Sequence, residues 1–274
     1  MLSLIKKLNE AIDKREAVAQ CTVVATSGST PLKAGAKMIV WNNGKQFGTI
    51  GGGNIEKLVI EDAVELMNTG KTELKEYNLL KQQMCCGGTM KIFIEPIKRT
   101  KQLLIFGAGH VGSNIANFAQ TLNFKTIIID EREEILNEIN FDSTQNILLN
   151  HRDAFSKLTF DADTFIVICT HLHEYDREIL AHCIHQPHAY LGMIGSRRKI
   201  IITRKRFLDQ DICTEEQLEK IDMPMGFDIG QNSPAEIALG IVAKIIAVSN
   251  NKEIQSENKI TQHEEAGFNS NGCS

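Results

Sequence analysis

The spacing of apolar residues changes period part-way along this chain. Leu4, Ile5, Leu8 and Ile12 share one face of residues 2–12, which predicts an amphipathic opening helix. Residues 17–26 carry the β-branched run Thr22, Val23, Val24 and read as a strand, after which Gly28 and Pro31 force a loop. Two apolar runs, 37–41 and 46–50, flank Asn42-Asn43-Gly44-Lys45, and an Asn-Gly pair in that setting predicts a hairpin. Gly51, Gly52 and Gly53 end it. Helical spacing returns over 56–67 through Leu58, Val59, Ala63 and Leu66, with Gly70 suited to the C-terminal end. Strands are then predicted over 72–80 and 89–96, interrupted by Met84-Cys85-Cys86-Gly87-Gly88.

From Lys101 onward short apolar runs alternate with helical patterns. Strands are predicted over 103–106, 126–129, 146–149, 164–169 and 189–194, with helices over 111–122, 175–185 and 196–208. A last helix has a clear start: Ser233 at the N-cap, Pro234 in the first turn and Glu236 completing a capping box before an apolar stripe. Such alternation predicts a doubly wound parallel sheet. The expected fold class is therefore α/β: an N-terminal α+β domain (1–99) followed by a Rossmann-like domain (100–249). Residues 250–274, rich in Asn, Glu, Lys, Gln and Ser, read as a disordered tail. A length of 274 residues suits two domains.

Charge and composition narrow the function classes. A net charge of −4 and a pI near 6.1 provide no global basic field, so nucleic acid is not an expected partner. The longest apolar stretch, 237–248, is broken by Lys244 and is too short to span a bilayer. The first fifteen residues show no signal-peptide pattern. Seven cysteines is an odd count, and adjacent Cys85 and Cys86 are badly placed for an ordinary disulfide. Reduced thiols and a cytoplasmic location are the expectation.

Gly107-Ala108-Gly109-His110-Val111-Gly112 follows a predicted strand and opens a predicted helix, and Asp130 ends the next strand. In that context the first glycine permits a tight turn, the second lets backbone approach a phosphate, and the third brings the helix onto the sheet. Asp130 would accept hydrogen bonds from a ribose diol; the alternative is a nucleotide fold kept as scaffold without a ligand. Thr170-His171-Leu172-His173-Glu174-Tyr175-Asp176 lies just past another strand, where open α/β sheets bind ligands. His171, His173 and Asp176 are candidates for ligand lining, proton transfer or metal ligation. Gly195-Ser196-Arg197-Arg198-Lys199 combines a helix N-terminus with guanidinium forks, a fitting trap for phosphate through Ser196 and Arg197. Cys85 and Cys86 beside Gly87 and Gly88 suit either thiolate coordination of a soft metal or simple burial.

Taken together, these segments resemble the xanthine dehydrogenase accessory family, often called XdhC/CoxI. The resemblance runs through Gly28-Ser29-Thr30-Pro31, Gly48-Thr49-Ile50-Gly51-Gly52-Gly53, Cys85-Cys86-Gly87-Gly88 and Gly107–Gly112. It continues through Thr170-His171 to Asp176, Gly192–Lys199, and Gly226-Phe227-Asp228-Ile229-Gly230 leading into Pro234-Ala235-Glu236. Asn54 after the three glycines, where one branch carries cysteine, is similar to the xanthine dehydrogenase branch. The resemblance implies a non-catalytic maturation chaperone. It would bind the molybdenum cofactor (molybdopterin) as cargo, protect it during sulfuration and pass it to a xanthine dehydrogenase-type molybdenum hydroxylase. Implied partners are that hydroxylase, a cysteine desulfurase-like sulfur donor and a second copy in a homodimer. Cofactor contacts are expected at Cys85, Cys86, Gly107, Gly109, Gly112, Asp130, His171, His173, Asp176, Ser196 and Arg197. The alternatives are an NAD(P)-dependent oxidoreductase on the same glycine loop, and a protein adaptor with an empty Rossmann domain.

Overall fold

The computed structural model describes residues 2–80, 87–141, 144–230 and 232–252. Cys85, Cys86 and most of the predicted tail therefore lie outside the described residues. The chain forms two compact units, 1–100 and 101–274.

The first unit contains α1 (Leu2–Asp13), β1 (Val18–Ser27), β2 (Lys37–Trp41), β3 (Gln46–Gly48), α2 (Gly53–Thr69), β4 (Glu73–Asn78) and β5 (Thr89–Ile97). Its five-stranded sheet runs β3-β2-β1-β5-β4, antiparallel throughout. Alternation along β5 sends Met90, Ile92 and Ile94 to one face, where Ile55, Val59, Ala63 and Leu66 of α2 cover them. The start of β5 approaches the loop after β1 closely: Gly88 N–H donates to Ser29 O at 2.9 Å. A Cβ on Gly88 would lie 2.4 Å from Ser29 O and 2.5 Å from Ser27 O, so only glycine fits. The three glycines end the hairpin and begin the next helix, since Gly52 is the N-cap of α2.

The second unit alternates strand and helix and ends in two further helices. Its elements are β6 (Lys101–Phe106), α3 (His110–Ala119), β7 (Phe124–Asp130), α4 (Glu133–Asn137), β8 (Thr144–Leu148), α5 (His151–Phe155), β9 (Thr164–Ile168) and α6 (His173–Cys183). They continue with β10 (Tyr190–Met193), α7 (Arg197–Asp209), α8 (Glu215–Glu219) and α9 (Pro234–Ser249). All pairings are parallel and the order is β10-β9-β6-β7-β8. Neighbouring strand residues divide between two cores, as a sheet covered on both faces requires. Leu103, Ile105, Phe165 and Val167 pack with Ile115 of α3 and Ile241 of α9. Leu104, Phe106, Ile166 and Ile168 pack with Ile179 of α6 and Ile200 of α7.

The capping box at Ser233 and Glu236 forms, and α9 is pinned from the sheet side by Asp222. That carboxylate accepts from Tyr190 Oη (2.6 Å), Gly226 N–H (2.8 Å) and Lys244 Nζ. Among the described residues no helix is long and apolar enough to cross a membrane.

Candidate functional site

The chain leaves β6 toward β7 on one side of the sheet, and later enters β9 on the other side. This reversal opens a crevice at the carboxyl ends of β6 and β9, the usual ligand position in such folds. Its walls include Gly107, Asp130, Glu131, His151, His171 and Tyr175.

The three glycines of the loop do different things. Gly107 has φ 111°, and a Cβ there would fall 2.4 Å from Cys169 O. A Cβ on Gly112 would meet Gly107 O at 1.9 Å, so α3 rests directly on the loop. Gly109 is the N-cap of α3, with ordinary extended backbone (φ −62°, ψ −174°), and an added Cβ would meet nothing within 4 Å. The fold needs the first and third glycines for its own packing. The second leaves backbone open at a helix N-terminus, which favours an anion.

Asp130 ends β7 as expected, but its carboxylate is already engaged. Oδ1 accepts from Arg132 N–H (3.0 Å) and Nε (2.9 Å); Oδ2 accepts from Ala108 N–H (2.8 Å) and Arg132 Nη2 (2.7 Å). Burial works to raise its pKa, but these donors outweigh burial and hold the carboxyl below its ordinary value. The expected ribose-binding acid is thus the clasp between the glycine loop and the start of α4.

Asp176 departs further from expectation. Its side chain is fully buried (0% exposed) and accepts from Thr170 N–H at 2.9 Å, Thr170 Oγ1 at 2.7 Å and Lys199 Nζ at 2.7 Å. It ties the loop after β9 to the first turn of α7 and does not face the crevice. His171 and His173 are exposed, and His173 Nδ1 lies 3.8 Å from Asp176. Among the described residues no group of three or more His, Cys, Asp or Glu is placed to hold a metal ion.

The basic run after β10 divides by direction. Ser196 caps α7, accepting from Lys199 N–H at 3.4 Å, and Arg197 and Arg198 are exposed in the first turn. Lys199 turns inward to Asp176 and Ile194 O. Cys169 lies beneath the glycine loop, Sγ 3.5 Å from Gly107 O, and burial pushes its thiol pKa up. It is a packed thiol and not a thiolate donor.

His151 and Tyr175 on the crevice wall were not singled out from sequence. His151 opens α5, whose N-cap Asn150 accepts from the N–H groups of Arg152 and Asp153. Its ring lies 4.6 Å from that of Tyr175, and Nε2 is 2.7 Å from Glu178 Oε2. Arg152 forks onto the same carboxylate at 2.9 and 2.7 Å. The available signal was an Asn-x-x-Asp start at a strand end; five helical residues are too few to show a period. Arg152, then His151, pull the Glu178 carboxyl from 4.5 to about 2. A depressed carboxylate stabilises the fold above its unfolded pKa, so this contribution is full above about pH 4.5 and is lost as pH falls toward about 2. Carboxyl-carbon NMR titration is expected to show a Glu178 midpoint near 2, and a midpoint of 4 or above would refute the assignment.

Comparison with known families adds a decisive match. Residues 103–245 match the model of the XdhC Rossmann domain, and residues 11–78 match that of the XdhC and CoxI family. The chain belongs to the XdhC family. Both units contribute to the assignment, with the glycine loop, the Thr170 loop and the Ser196 turn all inside the Rossmann match. Similar to this XdhC-family chain is the Escherichia coli (strain K12) "Uncharacterized protein YqeB", 34% identical over 85% of this chain and 44% of that protein. Another relative, from Bacillus subtilis (strain 168), carries the name of a probable xanthine dehydrogenase subunit; it is 28% identical over 58% of this chain and 46% of that protein. The chain thus spans under half the length of these curated relatives. A solved structure described as a xanthine dehydrogenase from Bacillus halodurans aligns with a TM-score of 0.49 at 20% identity, covering 91% of this chain and 97% of that one.

Proposed function

We propose that this XdhC-family chain is a maturation accessory of a xanthine dehydrogenase-type molybdenum hydroxylase, carrying the molybdenum cofactor as cargo during sulfuration and insertion. The observation that carries this reading is Gly109: open backbone at the N-terminus of α3, two residues beyond crevice-lining Gly107 in the family's Rossmann domain. The cargo's phosphate would meet the N–H groups of that helix end, with Arg197 and Arg198 as a second anion-binding turn. Support also comes from the Bacillus subtilis relative, whose name places it with xanthine dehydrogenase. A cysteine desulfurase-like sulfur donor, a second copy of the chain in a homodimer and a cytoplasmic setting belong to the same proposal.

The pterin's dithiolene-bound metal calls for a soft donor, and Cys85 and Cys86 are the candidates. Both precede Gly87 and Gly88, the segment held against the loop after β1. Cys85→Ala and Cys86→Ala are expected to act asymmetrically, one abolishing molybdenum retention and the other sparing it. Full molybdenum retention and delivery by the double variant would remove both thiols from the cargo's ligand set. The primary test is mass and metal analysis of the ligand that co-purifies, with dissociation constants for molybdenum cofactor and NAD(H). Micromolar NAD(H) binding without cofactor binding would overturn the reading in favour of an oxidoreductase.

A further inference from the structure

The end of the second strand in a dinucleotide fold normally presents an available carboxylate to the two hydroxyls of the adenosine ribose. Here Asp130 holds that position with no acceptor to offer. A carboxylate has about four acceptor directions, and all are taken: two by the Arg132 guanidinium, one by Arg132 N–H and one by Ala108 N–H. The fork is bidentate and charge-assisted, and the carboxylate side chain is only 3% exposed. A diol gains nothing unless it first displaces the guanidinium. The opposite use of this position, an arginine reading a 2′-phosphate, is disfavoured by the same contacts. Nε and one N–H of Nη2 already face Asp130, so a phosphate on the remaining donors would sit against the carboxylate's charge.

We propose that Arg132 is the specificity-determining residue of the crevice: by occupying Asp130 it turns a dinucleotide-type site against NAD and NADP. The crevice is left to phosphate-bearing ligands that place no vicinal diol at the end of β7. This rests on reading the glycine loop as a ligand site, though not on the identity of the cargo. A pterin phosphate meets the requirement, since its phosphate can use Gly109 while nothing on it must be read by Asp130.

The test is isothermal titration of the full chain with NAD⁺, NADP⁺ and the NAD⁺ analogue lacking the adenosine 2′-hydroxyl. Wild type is expected to bind NAD⁺ and its 2′-deoxy analogue equally weakly. Arg132→Ala should bind NAD⁺ at least tenfold more tightly than wild type, with no such gain for the 2′-deoxy analogue. Adding Asp130→Asn should reduce the gain. Arg132→Lys, whose ammonium cannot fork across both oxygens, should move in the same direction by less. The proposal is overturned if wild type prefers NAD⁺ to the 2′-deoxy analogue tenfold or more, a result that needs no variant. Tight wild-type binding of NADP⁺, or an Arg132→Ala gain that ignores the 2′-hydroxyl, would overturn it too. If Arg132→Ala gains NAD⁺ affinity while no molybdenum cofactor co-purifies with wild type, the cargo reading fails and the role of Arg132 stands.

Discussion

Gly109→Ala is expected to weaken cargo binding more than tenfold, about 1.4 kcal/mol, while the protein stays folded. The backbone at Gly109 is already in a conformation alanine accepts, and its methyl would meet no protein atom within 4 Å. The loss must therefore come from the ligand side, where the methyl would hold a phosphate away from the first N–H groups of α3. Gly112→Ala is the matched contrast. Its methyl would fall 1.9 Å from Gly107 O, so helix and loop must separate, and such overpacking costs about 1–3 kcal/mol of stability. Thermal unfolding alongside calorimetric titration distinguishes the two effects. Unchanged affinity in a folded Gly109→Ala protein would remove the glycine loop from the site.

Asp176→Ala should cost about 3–5 kcal/mol of stability, because it leaves the Lys199 charge buried without its partner. Lys199 is 8% exposed, and besides Asp176 it reaches one carbonyl, Ile194 O. Thr170 loses its acceptor at the same time, so the loop carrying His171 should loosen. Replacing both charges, as Asp176→Ala with Lys199→Met, should recover much of the loss, since no ion then remains in the core. Urea unfolding measures both variants. A cost below about 1 kcal/mol for Asp176→Ala would show that water reaches the pair.

The fold was readable because its signals are local and repeated. Strand and helix periods alternate from Lys101 onward, and the glycine loop sits where a turn must. The helices α4, α5 and α8 escaped because five residues do not complete two turns, so no stripe can form. Part of the crevice was equally legible: Gly107 and His171 line its walls, and Gly109 caps the helix that follows. The roles of Asp130, Asp176 and Lys199 were not. A charged residue beside a predicted site reads the same from sequence whether it faces ligand or core. The direction is decided by partners elsewhere: Arg132 two residues on for Asp130, and a helix 23 residues away for Asp176. His151 was hidden for the same reason, since its place beside Tyr175 depends on strand order and not on sequence neighbours.

The packing of α9 over α3 has a consequence for when this protein becomes competent. Ile115, Ala116 and Ala119 on α3 share their core with Ala238, Ile241, Val242 and Ile245 on α9. The helix that follows the glycine loop is therefore missing one wall until the chain has been synthesised through Ser249. At about 5–20 residues per second, that is a delay of roughly seven to twenty-seven seconds after Gly112 is made. During this interval the glycine loop can already be tied to β7 through Ala108 and Asp130, while α3 above it lacks part of its cover. On the proposed function, a chain still on the ribosome would thus hold a ligand at this loop less firmly than a finished one.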